Sequence, residues 1–199
     1  VKGFPLNFLK VIYMTTDTAT IKNKGIFSED KQHRYLLRRE WDKTKKSALI
    51  LMINPTTSDI NTIDTTTMLV LNNMISLGFG SVNIANLYTR ITPKLNFRFN
   101  SDEDLLDLEG DKILEQYAAM SDAIIIAWGS IGKNNQRVKT RIDDIMSRIE
   151  QFKNKMYQIG EHGYHPLTPS VRKWELVPYV PEEKAEHLTA ENKGGDKHA

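Results

Sequence analysis

A chain of 199 residues, 40% apolar and 26% charged, has the length of one domain and a globular mixture, which excludes disordered and fibrous classes. The absence of cysteine excludes disulfides, thiolate zinc sites and cysteine-held iron–sulfur clusters. No apolar run approaches the roughly 20 residues that span a bilayer, no secretory signal is legible, and the formal net charge is only +2. A cytoplasmic protein without a membrane partner is the expectation, and bulk charge does not single out a nucleic-acid binder.

Residues 1–24 have no clear period and read as an N-terminal extension of uncertain structure. Arg34–Glu40 suggests a strand or short edge element. The apolar run Ser47–Ile53 stops at Asn54-Pro55, which predicts a buried strand and a sharp loop. Residues 54–64 are rich in turn and cap formers. Apolar positions at Met68, Leu69, Leu71, Met74, Ile75 and Leu77 predict an amphipathic helix over 65–77, ended by Gly78 and Gly80. Ser81–Leu87 is a second buried strand, with a loop to about residue 101. A helix over 103–119 precedes the clearest strand, Asp122–Gly129. Residues 134–152 repeat apolar positions at helical spacing from Val138 to Phe152. A short strand, Lys155–Ile159, leads into the loop 160–170, and Trp174–Val177 is a last extended piece. Residues 181–199 are polar and read as a disordered tail, leaving 25–180 as the domain.

Apolar strands alternating with helices predict an α/β fold, a three-layer αβα arrangement around a central, mostly parallel sheet of four to five strands. Ligands of such sheets bind at the carboxyl ends of the strands. The loops beginning at Asn54, Asn86, Gly129 and Gly160 are therefore where chemistry is expected.

Asn54 can hold a water with its amide oxygen, or it can cap the turn it begins. Asn86 can pair with the donor and acceptor groups of a nucleobase edge, or cap the backbone. Trp128-Gly129 reads as a core Trp and a tight turn. His165 can donate to an oxyanion that develops on a substrate. His162 and His165 also have a spacing that a metal accepts, but no third ligand is near in sequence, so no metal is expected. Gly129–Lys133 lacks the upstream glycine of a phosphate loop, and no cofactor is expected. Lys133, Arg137, Lys139 and Arg141 stand in a run without an acid, either a basic binding face or a solvated helix face.

Four segments, in order, resemble the landmarks of the uracil-DNA glycosylase superfamily. Ile53-Asn54-Pro55-Thr56-Thr57-Ser58 is similar to the first active-site motif, above all the G-I-N-P-G form of the mismatch-specific branch. Val82-Asn83-Ile84-Ala85-Asn86-Leu87 resembles the strand that ends in the base-reading Asn. Ile124–Gly129 looks like the apolar strand ending in Trp-Gly, and His165–Ser170 is similar to the late H-P-S-P-L-S motif. Over roughly residues 25–179 the chain also resembles a bacterial family of uncharacterised domains with N-P-[ST]-T, N-L, A-W-G and H-P-L motifs. Asn54 stands where the uracil-specific enzymes carry Asp, and Thr56 stands where the mismatch branch has Gly.

The resemblance implies a uracil-DNA glycosylase-like fold and excision of uracil from DNA by base flipping, without metal or cofactor. Asn86 would read the uracil edge, with Pro55 and Tyr88 lining the base site. His165 would stabilise charge on the departing base, and Asn54 would position the attacking water. An amide is no strong base, so a slower enzyme is implied unless Asp59 or Asp64 supplies a carboxylate. Leu167 would wedge into the stack, while Ser58, Ser170 and Arg172 would contact phosphates. Phe79, Tyr88 and Phe97 are the candidates for stacking on the base. The implied partners are uracil-containing DNA, single- or double-stranded, and a DNA-mimicking protein inhibitor; the protein would be a monomer. The alternatives are an inactive nucleic-acid-binding module of this fold, or a glycosylase for another modified base.

Overall fold

A computed structural model describes residues 14–57, 59–131 and 135–181. One sheet of seven strands runs through it in the order β1-β2-β4-β3-β5-β6-β7. The strands are β1 (Lys22–Phe27), β2 (Arg34–Glu40), β3 (Ser47–Met52), β4 (Ser81–Asn86), β5 (Ala123–Ile126), β6 (Met156–Ile159) and β7 (Leu176–Pro178). The helices are α1 (Thr65–Ser76), α2 (Asp102–Leu105), α3 (Leu108–Met120) and α4 (Gln136–Ile149).

The protein is α/β, but its sheet is mixed. Three neighbouring pairs, β4-β3, β3-β5 and β5-β6, are parallel. The pairs β1-β2, β2-β4 and β6-β7 are antiparallel. The expectation of a mostly parallel sheet of four to five strands is thus corrected: it describes only the middle. The central strands are continuous apolar runs because both of their faces are covered. Leu49, Leu51, Ile124 and Ile126 face one core, while Ile50, Val82, Ile84 and Ile125 face another. Leu114 and Ala118 of α3 and Val138, Ile145 and Ile149 of α4 close the first core. Val70, Leu71 and Met74 of α1, with Trp174, close the second. Each Val, Leu, Ile or Met side chain among them contributes about 1.5–3 kcal/mol on burial.

Caps set the helix bounds. Asp64 accepts from Thr67 N and starts α1, and Asn135 accepts from Val138 N and starts α4. The helix expected over 103–119 is two helices. Ser101 and Asp104 form a capping box on α2, and Asp107 caps α3 at once afterwards, so the chain turns between them. Residues 150–152, expected as the end of a helix, belong to a 3₁₀ helix, Glu150–Lys155, which also takes the first residue of the strand expected over Lys155–Ile159.

The outer strands were the least legible. β1 lies partly in the stretch read as an extension, so the domain boundary at residue 25 falls inside a strand. β2 is no edge element; it lies between β1 and β4. The extension's first thirteen residues and the tail beyond Pro181 lie outside the described residues. Among the described residues, no helix is long and apolar enough to cross a membrane.

Candidate functional site

Because β4, β3, β5 and β6 are parallel neighbours, their carboxyl ends share one edge of the sheet. The backbone ladder continues past β3. Leu87 N donates to Met52 O and Tyr88 N to Ile53 O, each at 2.9 Å, and Ala127 N donates to Leu51 O at 2.9 Å. The loop that starts at Asn54 therefore emerges between Asn86 on one side and Trp128-Gly129 on the other.

Asn54 is half-buried and held by its amide nitrogen. Nδ2 donates to Thr92 O at 2.7 Å and to Pro55 O at 3.3 Å. Two carbonyl acceptors fix which end of the amide is nitrogen. Both amide protons are spent, so Oδ1 is the group left to accept from a water. Thr92 N in turn donates to Pro55 O, which closes the loop on itself.

His165 is brought to the same edge through Gly129. A Cβ at Gly129 would lie 3.1 Å from His165 Cβ and 3.4 Å from its backbone nitrogen. The ring is oriented by its own loop, in which Leu167 N donates to Nδ1 at 3.2 Å. An accepting Nδ1 carries no proton, so the neutral ring carries it on Nε2. Burial pushes the imidazole pKa below its ordinary 6.5, which favours the neutral form.

Asn86 ends β4 and is 4% exposed. Arg34, 6% exposed on the neighbouring β2, extends Nη2 toward Asn86 Oδ1 at 3.5 Å and donates Nη1 to Thr57 O at 3.2 Å. Five residues along β2, the fully buried Arg39 donates Nη2 to Thr62 O at 2.8 Å. The two guanidiniums thus fasten the loop after β3 from beneath. They do so incompletely. Asn86 Nδ2, Arg34 Nε, and Arg39 Nε and Nη1 are buried donors without a partner. Burial lowers the Arg34 pKa to about 10, against the attraction of Asp64. Burial likewise lowers that of Arg39, against Asp59 and Asp64. A buried charged donor left without an acceptor is costly, so this corner demands an acceptor. The sequence signal was the three arginines of β2, since charges in a strand interior are seldom neutral spectators.

The remaining expected residues divide. Pro55 is buried beside Asn54. Tyr88 is fully buried and packs edge-on against Phe97, ring centroids 5.4 Å apart; its hydroxyl is unpartnered, and burial raises its pKa to about 12. Phe97 is only partly buried, under the Arg137 guanidinium at 5.2 Å. Phe79 precedes β4 at the amino end of the sheet, which removes it as a base-stacking candidate. Leu167 is 42% exposed in the His165 loop, and Ser170 and Arg172 are exposed further along it. Ser58 lies outside the described residues.

Both extra carboxylates are engaged within the loop and at the start of α1. Asp64 is spent on Thr67 N and Thr56 Oγ1, and Asp59 on Asn61 N and Thr62 Oγ1. Burial raises the Asp64 pKa, but the bonds from Thr67 and Thr56 outweigh it and the net direction is down. Two members of the basic run are engaged within the fold, while Lys139 is exposed. Arg141 is buried against Asp111, and Arg137 donates to the Phe97 and Asn100 carbonyls and to Asp102. Lys133 lies outside the described residues. His162 is exposed and stacks edge-on with Tyr164. Among the described residues, no group of three or more His, Asp or Glu could hold a metal ion.

A cleft of about 880 Å³ opens beside the β1-β2 turn, lined by Glu29, Asp30, Asp102, Glu103 and Asp107. Its charge is wrong for a phosphate backbone. A protein-family model described as a protein of unknown function (DUF1643) matches residues 34–167. No curated protein and no solved structure matches the chain.

Proposed function

We propose that this chain, which belongs to the DUF1643 family, is a metal-independent DNA glycosylase of uracil-DNA glycosylase type. The reading covers fold likeness as well as activity. One observation carries it: Asn86, Asn54 and the Gly129–His165 contact occupy successive neighbouring strand ends, each with a different hydrogen-bonding capacity left over.

In this reading a uracil nucleotide leaves the stack at a cost of a few kcal/mol. Asn86 Nδ2 donates to the uracil 4-carbonyl. Asn86 Oδ1 meets Arg34 only at 3.5 Å, and its second lone pair accepts the ring N–H. The C1′–N1 bond breaks and the base departs as an anion, with His165 Nε2–H donating to its 2-carbonyl. A water held by Asn54 Oδ1 adds to the sugar carbon and releases its proton to solvent, since an amide takes none. Leu167 would fill the gap in the stack, and Ser58, Ser170 and Arg172 would contact phosphates.

The test is excision from uracil-containing single- and double-stranded oligonucleotides, read as alkali-labile abasic sites. Cleavage on either substrate, lost in His165→Ala with binding retained, is the expected result. No cleavage with salt-sensitive DNA binding intact would replace the reading by a binding module of the same fold. Base release from another modified pyrimidine alone would replace only the substrate.

A further inference from the structure

Arg34 and Asn86 are both buried, on the neighbouring strands β2 and β4. The arginine is fixed before it reaches the asparagine. Its backbone N–H donates to Thr89 O at 2.9 Å, and its Nη1 donates to Thr57 O at 3.2 Å. The remaining arm, Nη2, reaches Asn86 Oδ1 at 3.5 Å. Burial lowers the Arg34 pKa only to about 10, so the cation persists at neutral pH.

The two ends of an amide are nearly equal in size, so packing alone does not choose between its two orientations; hydrogen bonding does. A guanidinium has donors and no acceptor. With Oδ1 toward Arg34, the contact is donor to acceptor. With the amide reversed, Nδ2 would be set against a charged donor inside the protein, at the cost of a lost hydrogen bond and a repulsion. Arg34 therefore favours one orientation of Asn86. In that orientation Nδ2 points away from the arginine with no protein partner, and it is the end left for a ligand.

A 4-oxo pyrimidine presents a carbonyl acceptor beside a ring N–H donor, which suits an amide held this way. A 4-amino pyrimidine presents the reverse, a donor beside an unprotonated ring nitrogen, and pairs only with the turned amide. We infer that Arg34 is a positioning residue that locks the Asn86 amide with its nitrogen toward the base, and so restricts the site to 4-oxo pyrimidines against 4-amino ones. The inference rests on Asn86 meeting the base, as proposed above. The lock does not separate uracil from thymine, which share that edge.

The test compares Arg34→Met, which removes the donors at similar reach, with Arg34→Lys, which keeps a side chain that only donates. In the full chain, the ratio of uracil to cytosine excision from single-stranded oligonucleotides should fall by about tenfold or more in the Met variant. The Lys variant should restore most of it. A merely structural role would slow both bases together and leave the ratio unchanged. A second readout needs no turnover: the side-chain amide signals of Asn86 in the ¹⁵N-labelled chain, identified by their loss in Asn86→Asp, followed by NMR while free uracil or cytosine is added. In the parent and the Lys variant only uracil should shift them, and in the Met variant both bases should. Absence of cleavage with this NMR pattern intact would sink the glycosylase reading and leave the Arg34 lock standing. Cleavage with a base ratio indifferent to Arg34→Met would do the opposite. Amide signals that neither base moves, that both bases move in the parent, or a Lys variant no more selective than the Met variant would each overturn the inference.

Discussion

Gly129 and His165 are built against each other: the position of a Cβ on Gly129 lies 3.1 Å from His165 Cβ, and Gly129 has φ +67. One residue thus serves two ends. Its left-handed backbone turns the chain out of the sheet after β5, and its missing side chain leaves room for the imidazole loop. Gly129→Ala should cost about 1–3 kcal/mol from backbone conformation and contact together. It should also displace His165, so excision should fall further than the melt alone accounts for. Gly78→Ala is the control. Gly78 has φ +83 but nothing within 4 Å of the added carbon, so it carries the backbone cost without the contact. Equal effects of the two substitutions on activity would dissolve the link to His165.

The protonation of His165 yields a pH prediction. Burial depresses its pKa below 6.5, so between the folded and unfolded values the unfolded chain binds the extra proton. Its contribution to stability is therefore complete above about pH 6.5 and is lost as pH falls through the folded pKa. The neutral ring is the oriented donor in the proposed reaction, so the acid limb of excision should lie below pH 6.5. Titration of the His165 ring signals by NMR measures the same pKa directly. A midpoint at or above 6.5 would contradict both statements.

How far these features could be read without coordinates follows from their physics. The parallel middle was legible because strands covered on both faces must be apolar throughout, as Ile124, Ile125 and Ile126 are. β1 was not, because an edge strand such as Lys22–Phe27 needs neither continuous apolarity nor a buried face on both sides. The strand-end positions of Asn54, Asn86 and Gly129 were legible from strand bounds alone. The Arg34–Asn86 contact was not, since it joins residues 52 apart across an antiparallel pair that no pattern announced. The burial of Arg141 within the run from Lys133 to Arg141 was hidden for a related reason. Charge count in sequence does not report that Asp111, on another helix, waits for Arg141.

Arg39 makes a stability prediction of unusual sign. It is fully buried, holds one carbonyl, Thr62 O, and leaves Nε and Nη1 without partners. Exchanging a poorly compensated buried charge for an apolar chain of similar reach is often neutral or stabilising. Arg39→Met should therefore change the unfolding free energy measured in urea by no more than about 1 kcal/mol in either direction. Arg39→Ala opens a cavity as well and should cost about 2–5 kcal/mol. If the Met variant were as damaged as the Ala variant, the guanidinium would be satisfied in solution by groups other than Thr62, and the acceptor-hungry corner beside Asn86 would need redrawing.

Asn54→Asp separates a positioning amide from a missing base. The resemblance makes a carboxylate here the obvious improvement, but the surroundings oppose it. The Asn54 nitrogen faces two carbonyl oxygens, Thr92 O at 2.7 Å and Pro55 O at 3.3 Å. A carboxylate in that rotamer would set an anionic acceptor against acceptors, losing two hydrogen bonds and gaining repulsion. It would either hold its proton or swing away and release the 54–64 loop. The substitution should cost about 1–3 kcal/mol of stability, and excision at neutral pH should not rise. Lowering the pH should restore part of the stability, because a protonated carboxyl can again donate to Thr92 O. A variant that melts like the parent and cleaves faster would show that the Thr92 contact does not fix residue 54, and would return the role of general base to this position.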